Sequence, residues 1–231
     1  MSNARPVLLA WSGGKDCLMA LQRLRADPYW QVVGLLTTIT RQFARVAMHG
    51  IRRDVLHAQA VAVALPLIEC EIDWPSSNEA YEAAHADALR RARKRWPGLR
   101  HCAFGDLFLE DVRAYRERQL SHEGWRGVFP LWGSDTRELS REFVMQGHRA
   151  VLTCVDTIQL DGVFSGHDYD ADLLNALPES VDPCGERGEF HTLGYGGPTF
   201  ARDLRLTRGE SVLREGRFRY TDFLLKETPP E

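Results

Sequence analysis

The segment Trp11-Ser12-Gly13-Gly14-Lys15-Asp16-Cys17 follows the apolar run Val7-Leu8-Leu9-Ala10 and opens a helix-patterned stretch. Two adjacent glycines let a backbone come close to an anion, and the first N–H groups of a helix point at it. Lys15 adds a compact positive charge where charge on a leaving group would develop. These residue types in this order describe a phosphate cradle, with Ser12, Gly13, Gly14, Lys15 and Asp16 as candidate nucleotide contacts. The spacing is not that of a Walker loop, which needs four residues between its first glycine and Gly-Lys-Ser/Thr. Nor is it the Gly-x-Gly-x-x-Gly of a dinucleotide fold.

A second candidate lies at 182–192, Asp-Pro-Cys-Gly-Glu-Arg-Gly-Glu-Phe-His-Thr. Gly185 and Gly188 bracket Glu186 and Arg187, and Glu189, His191 and Thr192 follow. Period-two spacing would put Glu189 and His191 on one face of a strand. Paired carboxylates on a glycine-rich turn can hold magnesium, bind an ammonium ion or take a proton from a nucleophile. The plain alternative is an exposed turn with solvated glutamates.

Other chemistry-bearing residues fit weaker patterns. Asp168, Asp170, Asp172 and Glu179 match the acidic positions of a calcium loop, but Leu173 stands where its glycine should be and Pro178 precedes the closing glutamate. Cys17 and Cys184 have no paired cysteine and read as small packing residues. His49, His57 and His85 lack metal-ligand spacing and read as structural.

The elements that must carry these residues alternate. Strands are expected at Val7–Trp11, Val32–Thr38, Leu67–Ile72 and His101–Phe104. Helices are expected from about Asp16 to Arg25, over Arg52–Ala64, over Asn78–Trp96 and from about Glu110 to His122. Such alternation means an α/β fold with a parallel sheet, whose ligands bind beyond the carboxyl ends of the strands. Ser12–Asp16 and Gly105-Asp106 both fall at such ends, and Thr38 closes the second strand. After Gly124 the pattern changes: a helix near Arg137–Gln146, a strand at Ala150–Val155, then a Gly-, Pro- and Asp-rich stretch with short strands at Asp203–Leu206 and Phe218–Leu224. The last residues, Glu227–Glu231, are expected to fray.

Composition bounds the class. With 231 residues the chain can bury a core unaided, and a net charge of −3 disfavours a general nucleic-acid binder. The basic run Arg90–Arg95 reads as a solvated helix end rather than an RNA patch. Five scattered cysteines form no disulfide framework or zinc knuckle. No secretory signal or membrane span is expected, which makes the cytoplasm the default location. Three lysines against a large excess of arginine point to GC-rich coding and a bacterial source.

Taken in order, Ser12-Gly13-Gly14-Lys15-Asp16, Phe104-Gly105-Asp106, Pro130-Leu131-Trp132 and Cys184-Gly185-Glu186-Arg187-Gly188-Glu189-Phe190-His191-Thr192 resemble the diphthine–ammonia ligase family. That family is also described as the ATP-binding domain 4 group of N-type ATP pyrophosphatases, within the PP-loop superfamily. The resemblance runs through Gly197-Pro198-Thr199-Phe200. It implies an adenine nucleotide alpha-hydrolase-like (HUP, Rossmann-like) domain over residues 1–124 and a smaller α/β acceptor-recognition domain over 125–231. It further implies ATP with Mg2+, an acceptor carboxylate adenylated at the expense of pyrophosphate, and ammonia as the nucleophile.

On that reading Lys15, Glu186 and Glu189 are catalytic, and Thr38, Gly105 and Asp106 join the loop in holding ATP. Gly185, Glu186, Gly188, Glu189, His191 and Thr192 meet the acceptor. Cys17 stands where the family's loop more often has serine, which removes or weakens a hydroxyl contact to phosphate. Diphthamide belongs to archaeal and eukaryotic elongation factor 2, so a bacterial source would keep the chemistry and change the acceptor. The alternatives are a PP-loop enzyme acting on another small-molecule or RNA acceptor, and a nucleotide-binding regulator without turnover. A homodimer is compatible with all of them.

Overall fold

The computed structural model describes residues 4–226, so the expected fraying of 227–231 lies outside the described residues. In chain order the elements are β1 (Arg5–Ala10), α1 (Lys15–Ala26), β2 (Trp30–Thr40), β3 (Arg45–Val46), α2 (Arg53–Ala62), β4 (Leu67–Ile72), α3 (Asn78–Arg95) and β5 (His101–Ala103). They continue with α4 (Glu110–His122), β6 (Arg126–Val128), α5 (Thr136–Met145), β7 (Arg149–Asp156), a 3-10 turn (Gly162–Phe164), α6 (Ala171–Ala176), β8 (Phe190–Gly196), β9 (Leu206–Arg214) and β10 (Phe218–Leu225). These elements form two compact units. The first holds the chain up to Ser12, Asp16–Ala44 and Leu65–Ser134; the second holds Gly13–Lys15, Arg45–Ala64 and everything from Asp135 onward.

The first unit is the expected parallel α/β layer. Its strands run in the order β4-β2-β1-β5-β6, all parallel. Leu8, Leu36, Ile68, Cys70, Ile72 and Cys102 on the strands, with Phe104 just beyond β5, meet Ala88, Leu89 and Ala92 of α3 and Leu120 of α4 in one core. Alternation sends Val7 and Leu9 to the other face, where both are fully buried. Ser77 caps α3 by accepting from the Ala80 N–H at 3.2 Å, and the chain leaves the helix before Pro97. Successive strands are added on one side of β1 up to β4 and on the other side from β5. The order therefore reverses between β1 and β5, and their carboxyl ends are where such a sheet offers a crevice.

The second unit is built on an antiparallel sheet, β8-β7-β10-β9. Two expectations change here. The strand expected at Asp203–Leu206 is observed at Leu206–Arg214, because β9 is a mostly exposed edge strand whose polar residues carry no hydrophobic alternation. β8, expected only as the tail of a glycine-rich turn, is a full strand and the opposite edge of the sheet. The segment 45–52 is tied to β10 by charge. Asp222 accepts from Arg45 Nη1 at 2.8 Å and from Arg52 Nη2 at 2.6 Å, and Arg45 Nη1 also donates to the Gly50 carbonyl at 2.6 Å. Gly50 has φ +64, and a Cβ there would lie 2.9 Å from the Tyr220 ring.

Burial alone would raise the Asp222 carboxyl, but the hydrogen bonds from Arg52 and Arg45 hold it down at about 2. Its contribution is therefore present above the ordinary value of 3.8 and is lost as pH falls towards 2. Asp222→Asn should cost about 1–2 kcal/mol at neutral pH, since the pair is partly exposed. Urea denaturation should show a lower midpoint at unchanged slope, and the gap from wild type should narrow below about pH 4.

Candidate functional site

The loop residues Gly13, Gly14 and Lys15 are fastened to the edge strand β8. The Gly194 N–H donates to the Gly13 carbonyl at 2.8 Å, and the Lys15 N–H donates to Thr192 Oγ1 at 3.0 Å. Gln59 of α2 bridges the same two strands of chain: its Nε2 donates to the carbonyls of Gly13 (2.9 Å) and Gly194 (2.6 Å), and the side chain is fully buried. An uncovered sheet edge would leave backbone groups unpaired; here the loop satisfies them. One amide of the expected cradle, that of Lys15, is thereby already engaged with Thr192.

Both glycines are needed where they stand. Gly13 has φ +83, and a Cβ there would meet Gln59 Oε1 at 2.7 Å. A Cβ on Gly14 would lie 2.9 Å from His49 Cε1 and 3.2 Å from the Thr192 carbonyl oxygen. Lys15 is 2 % exposed, with its Nζ 5.6 Å from the centre of the Tyr169 ring, a cation–π arrangement that fixes the ammonium close to the loop. The Tyr169 hydroxyl donates to the Pro183 carbonyl at 2.7 Å. Tyr169 thus links Lys15 to the turn that carries the second motif.

That turn is organised by its own carboxylates. Glu189 Oε1 accepts from the Asp182 N–H and Oε2 from the Arg187 N–H, each at 3.0 Å. Asp182 in turn accepts from the Cys184 N–H at 3.1 Å and the Glu186 N–H at 3.2 Å. Glu189 is 2 % exposed, so the alternative of two solvated glutamates does not hold for it. Glu186 is half-buried. Gly185 has φ +69 and sits where a Cβ would strike the Phe190 carbonyl at 2.7 Å; Gly188 has φ +86.

The structure sets neighbouring β8 residues against the loop segment. Thr192 meets Lys15, and the His191 ring lies 4.7 Å from that of His49, whose Nδ1 is 3.0 Å from the Thr192 carbonyl. A register shift opposite, between Leu152 and Cys154, accompanies this break from strict alternation. Burial, then His49, then Lys15 push the His191 imidazole down to about 3.

In the first unit, Ser12, Asp16, Gly105 and Asp106 gather at the strand ends. A Cβ on Gly105 would lie 3.0–3.2 Å from Asp16 atoms, so only glycine admits the first turn of α1 this closely. Asp106 is ion-paired with Arg116, whose Nη2 donates to Oδ1 at 3.1 Å and whose Nε lies 2.6 Å from Oδ2, while the guanidinium lies 4.5 Å over the Phe104 ring. Thr38, expected to close the second strand, lies inside β2, which runs on to Thr40, and sits in register opposite Cys70 of β4. Cys17 is buried and faces back along the loop: the Ser12 N–H donates to its Sγ at 3.2 Å. The thiol therefore closes the loop start. Cys184 is buried with its thiol against the Thr136 carbonyl at 3.4 Å.

Sequence reasoning missed Gln59, Asp182 and Tyr169, and it set His49 aside as structural. Gln59 occupies a buried face of α2, and a polar residue on such a face is the one signal that was available. Tyr169 stood between acidic residues that matched a calcium loop. In the fold Asp170 instead caps α6 through the Leu173 N–H at 2.9 Å, and Asp168 accepts from the Tyr195 hydroxyl at 2.9 Å. Among the described residues, no group of three or more His, Cys, Asp or Glu gathers as a metal site.

Two outcomes follow from this geometry. Gly14→Ala should lower stability by about 1–3 kcal/mol, read as a lower urea midpoint, because the new methyl must displace His49 or the β8 backbone. The depressed His191 makes stability fall as pH drops from 6.5 towards 3, since the unfolded chain takes a proton that the folded one refuses. His191→Gln should remove about one proton from the pH dependence of unfolding in that window.

Comparison with known proteins agrees with this construction. The profile of the diphthamide synthase N-terminal domain matches residues 5–124, and that of the diphthamide synthase C-terminal domain matches residues 135–220. A diphthine–ammonia ligase of Schizosaccharomyces pombe is 27% identical over 176 residues, covering 71% of this chain and 29% of that protein. The chain thus spans under a third of the relative's length. With strand-end glycines, phosphate-type loop and acidic turn all in place, the chain belongs to the diphthamide synthase family.

Proposed function

We propose that this protein is an AMP-forming ligase that adenylates an acceptor carboxylate with ATP and amidates it with ammonia. The observation that carries the reading is the buried Lys15 on a glycine loop fixed to β8, next to a turn whose backbone is held by Asp182 and Glu189. Residues 1–124 are assigned to ATP and 125–231 to the acceptor. The acceptor carboxylate oxygen attacks the α-phosphorus, and the bond to pyrophosphate breaks. Lys15, held by the Tyr169 ring, is placed to offset charge on the departing pyrophosphate, with Ser12, Gly13, Gly14 and Asp16 as the surrounding loop.

Ammonia then attacks the acyl carbon, the bond from that carbon to the phosphate oxygen breaks, and AMP leaves carrying the oxygen as the amide forms. Ammonium must first lose a proton. Glu186 or Glu189 is assigned as its acceptor; both oxygens of Glu189 also take backbone N–H bonds that hold the turn. Gly185, Gly188, His191 and Thr192 complete the acceptor side; Thr38, Gly105 and Asp106 complete the nucleotide side. The residues fit a magnesium ion carried on the nucleotide phosphates rather than caged by protein. Asp16, beside the space that a Gly105 Cβ would fill, is the carboxylate that would help hold it. When bound, that ion supplies positive charge to the phosphate oxygens.

The test is product analysis with the purified chain, Mg2+, ATP, ammonium and elongation factor 2 bearing diphthine, following the factor's mass. AMP formation with conversion of acid to amide is the expected result. Absence of AMP with every carboxylate acceptor tried, alongside demonstrated ATP binding, would replace the ligase with a nucleotide-binding regulator. Lys15→Ala should slow AMP formation by about 100-fold or more, and Glu186→Gln should slow amide formation by about 100-fold at neutral pH. Normal turnover in both Glu186→Gln and Glu189→Gln would remove the proton-acceptor role.

A further inference from the structure

The antiparallel sheet of the second unit has two edges. One is β8, where the Gly13 carbonyl and Gln59 meet the backbone of Gly194. The other is β9, which pairs with β10 on one side only. Every second residue of such a strand turns its N–H and C=O away from the sheet, and among the described residues no further strand takes them. The side chains of β9 are mostly exposed, and Leu213 leaves 47 % of its surface in water. Nine residues is a long edge to leave bare, because a bare edge is a template for another strand.

The residues themselves say which strand fits. Glu210-Ser211-Val212-Leu213-Arg214 begins on a negative charge, ends on a positive one and has an apolar residue at its centre. Four positions along a strand separate Glu210 from Arg214 by about 13 Å, too far for them to pair within one copy. Neither carries an ion pair among the described residues. Two antiparallel copies of the segment, related by a two-fold axis at Val212, bring the charges together. Val212 then meets Val212 across the axis, Ser211 meets Leu213, and Glu210 meets Arg214 at both ends. Opposite residues in an antiparallel pair lie about 4.5–5.5 Å apart, within ion-pair reach for these side chains. The two Leu213 side chains become diagonal neighbours at about 7–8 Å and cover each other's exposed apolar surface.

Charge also selects that register over its neighbours. An axis at Ser211 sets Arg208 against Arg214, and an axis at Glu210 sets Glu210 against itself. An axis at Leu213 sets Arg214 against Val212 and loses both ion pairs. Charges on an edge ordinarily guard it against pairing; here they oppose the wrong registers and favour one. The seam is bounded in each copy. The ladder with β10 is irregular between Arg208 and Ser211, a bulge that bends the strand just beyond Glu210. After Arg214 the chain turns, with the Arg217 N–H donating to the Arg214 carbonyl at 3.0 Å.

We propose that β9 is a dimerisation edge, through which two copies of this chain pair antiparallel over Glu210–Arg214 about a two-fold axis at Val212. The two sheets become one, with β9 against β9 at its centre and both β8 edges at its far ends. The loops fastened to β8 are thus left clear of the seam. So short a seam is well below the area of a standard stable interface, so the dimer is weak, concentration-dependent and further weakened by salt. The inference stands apart from the ligase reading and does not need it.

The test uses the full chain. Sedimentation velocity from about 10 μM to about 1 mM should show a monomer–dimer equilibrium. Glu210→Arg and Arg214→Glu each set like charges opposite one another and should weaken dimerisation by about tenfold or more. The double exchange restores opposite signs and should recover the wild-type constant within about threefold. Both positions are exposed, so the urea midpoint should stay where it is in all three variants.

Crosslinking gives a readout that does not depend on affinity. Pairing about the axis puts the two Val212 Cα atoms about 4.5–5.5 Å apart, inside the range that a disulfide spans. Under oxidised glutathione, Val212→Cys should accumulate as a disulfide-linked dimer. Thr207→Cys, exposed on the same strand but far from the axis, should not. The native cysteines are all buried. A wild type that stays monomeric throughout, with no more crosslinking of Val212→Cys than of Thr207→Cys, would overturn the proposal. A dimer whose constant ignores both single charge reversals would overturn it too, by assigning self-association to another face.

Discussion

Everything at the site depends on the backbone of a glycine loop serving as the missing neighbour of an edge strand. β8 has β7 on one side only, and an edge strand with bare N–H and C=O groups is costly to bury and open to wrong pairing. The Gly13 carbonyl takes the Gly194 N–H and Gln59 Nε2 takes the Gly194 carbonyl, while the Lys15 N–H closes the seam on the Thr192 hydroxyl. This single constraint explains why two glycines must be adjacent. One needs left-handed backbone, and the other needs a bare Cα against His49 and the Thr192 carbonyl. It also puts β8 side chains, Thr192 and His191, within reach of the loop by geometry rather than by sequence proximity.

The charges nearby are each matched within the protein. Lys15 lies over an aromatic face, Glu189 and Asp182 each collect two backbone N–H groups, and Asp222 is matched by two arginines. Buried polar groups are tolerable when satisfied in this way and expensive otherwise. The consequence is a stiff frame around a half-buried Glu186 and a partly buried His49. A frame of this kind suits chemistry in which charge appears on a leaving group and a proton must be removed from a nucleophile.

The parallel unit makes its own contribution through topology. Strand order reverses between β1 and β5, and the residues just beyond them, Ser12, Asp16, Gly105 and Asp106, meet at the crevice such a reversal creates. Cys17 also has a part at the loop. Its thiol accepts from the Ser12 amide and holds the loop's entry.

The sequence by itself determined the strand–helix alternation, the phosphate-type loop and the strand-end position of Gly105-Asp106. Each of these depends on local periodicity or on residue types with a backbone preference. It located the acidic turn but read its glutamates as equals. The fold separated them, because which carboxylate finds N–H groups depends on how residues 182–189 curl. Gln59, Tyr169 and His49 were illegible as site residues for a related reason. Each reaches the loop only when segments far apart in the chain close together, with Gln59 to Gly194 spanning 135 positions and His49 to Thr192 spanning 143. β9 was misplaced because an exposed edge strand has no buried face to impose alternation. What only the tertiary structure decided is therefore which polar groups meet, since hydrogen bonds across such separations leave no local pattern to read.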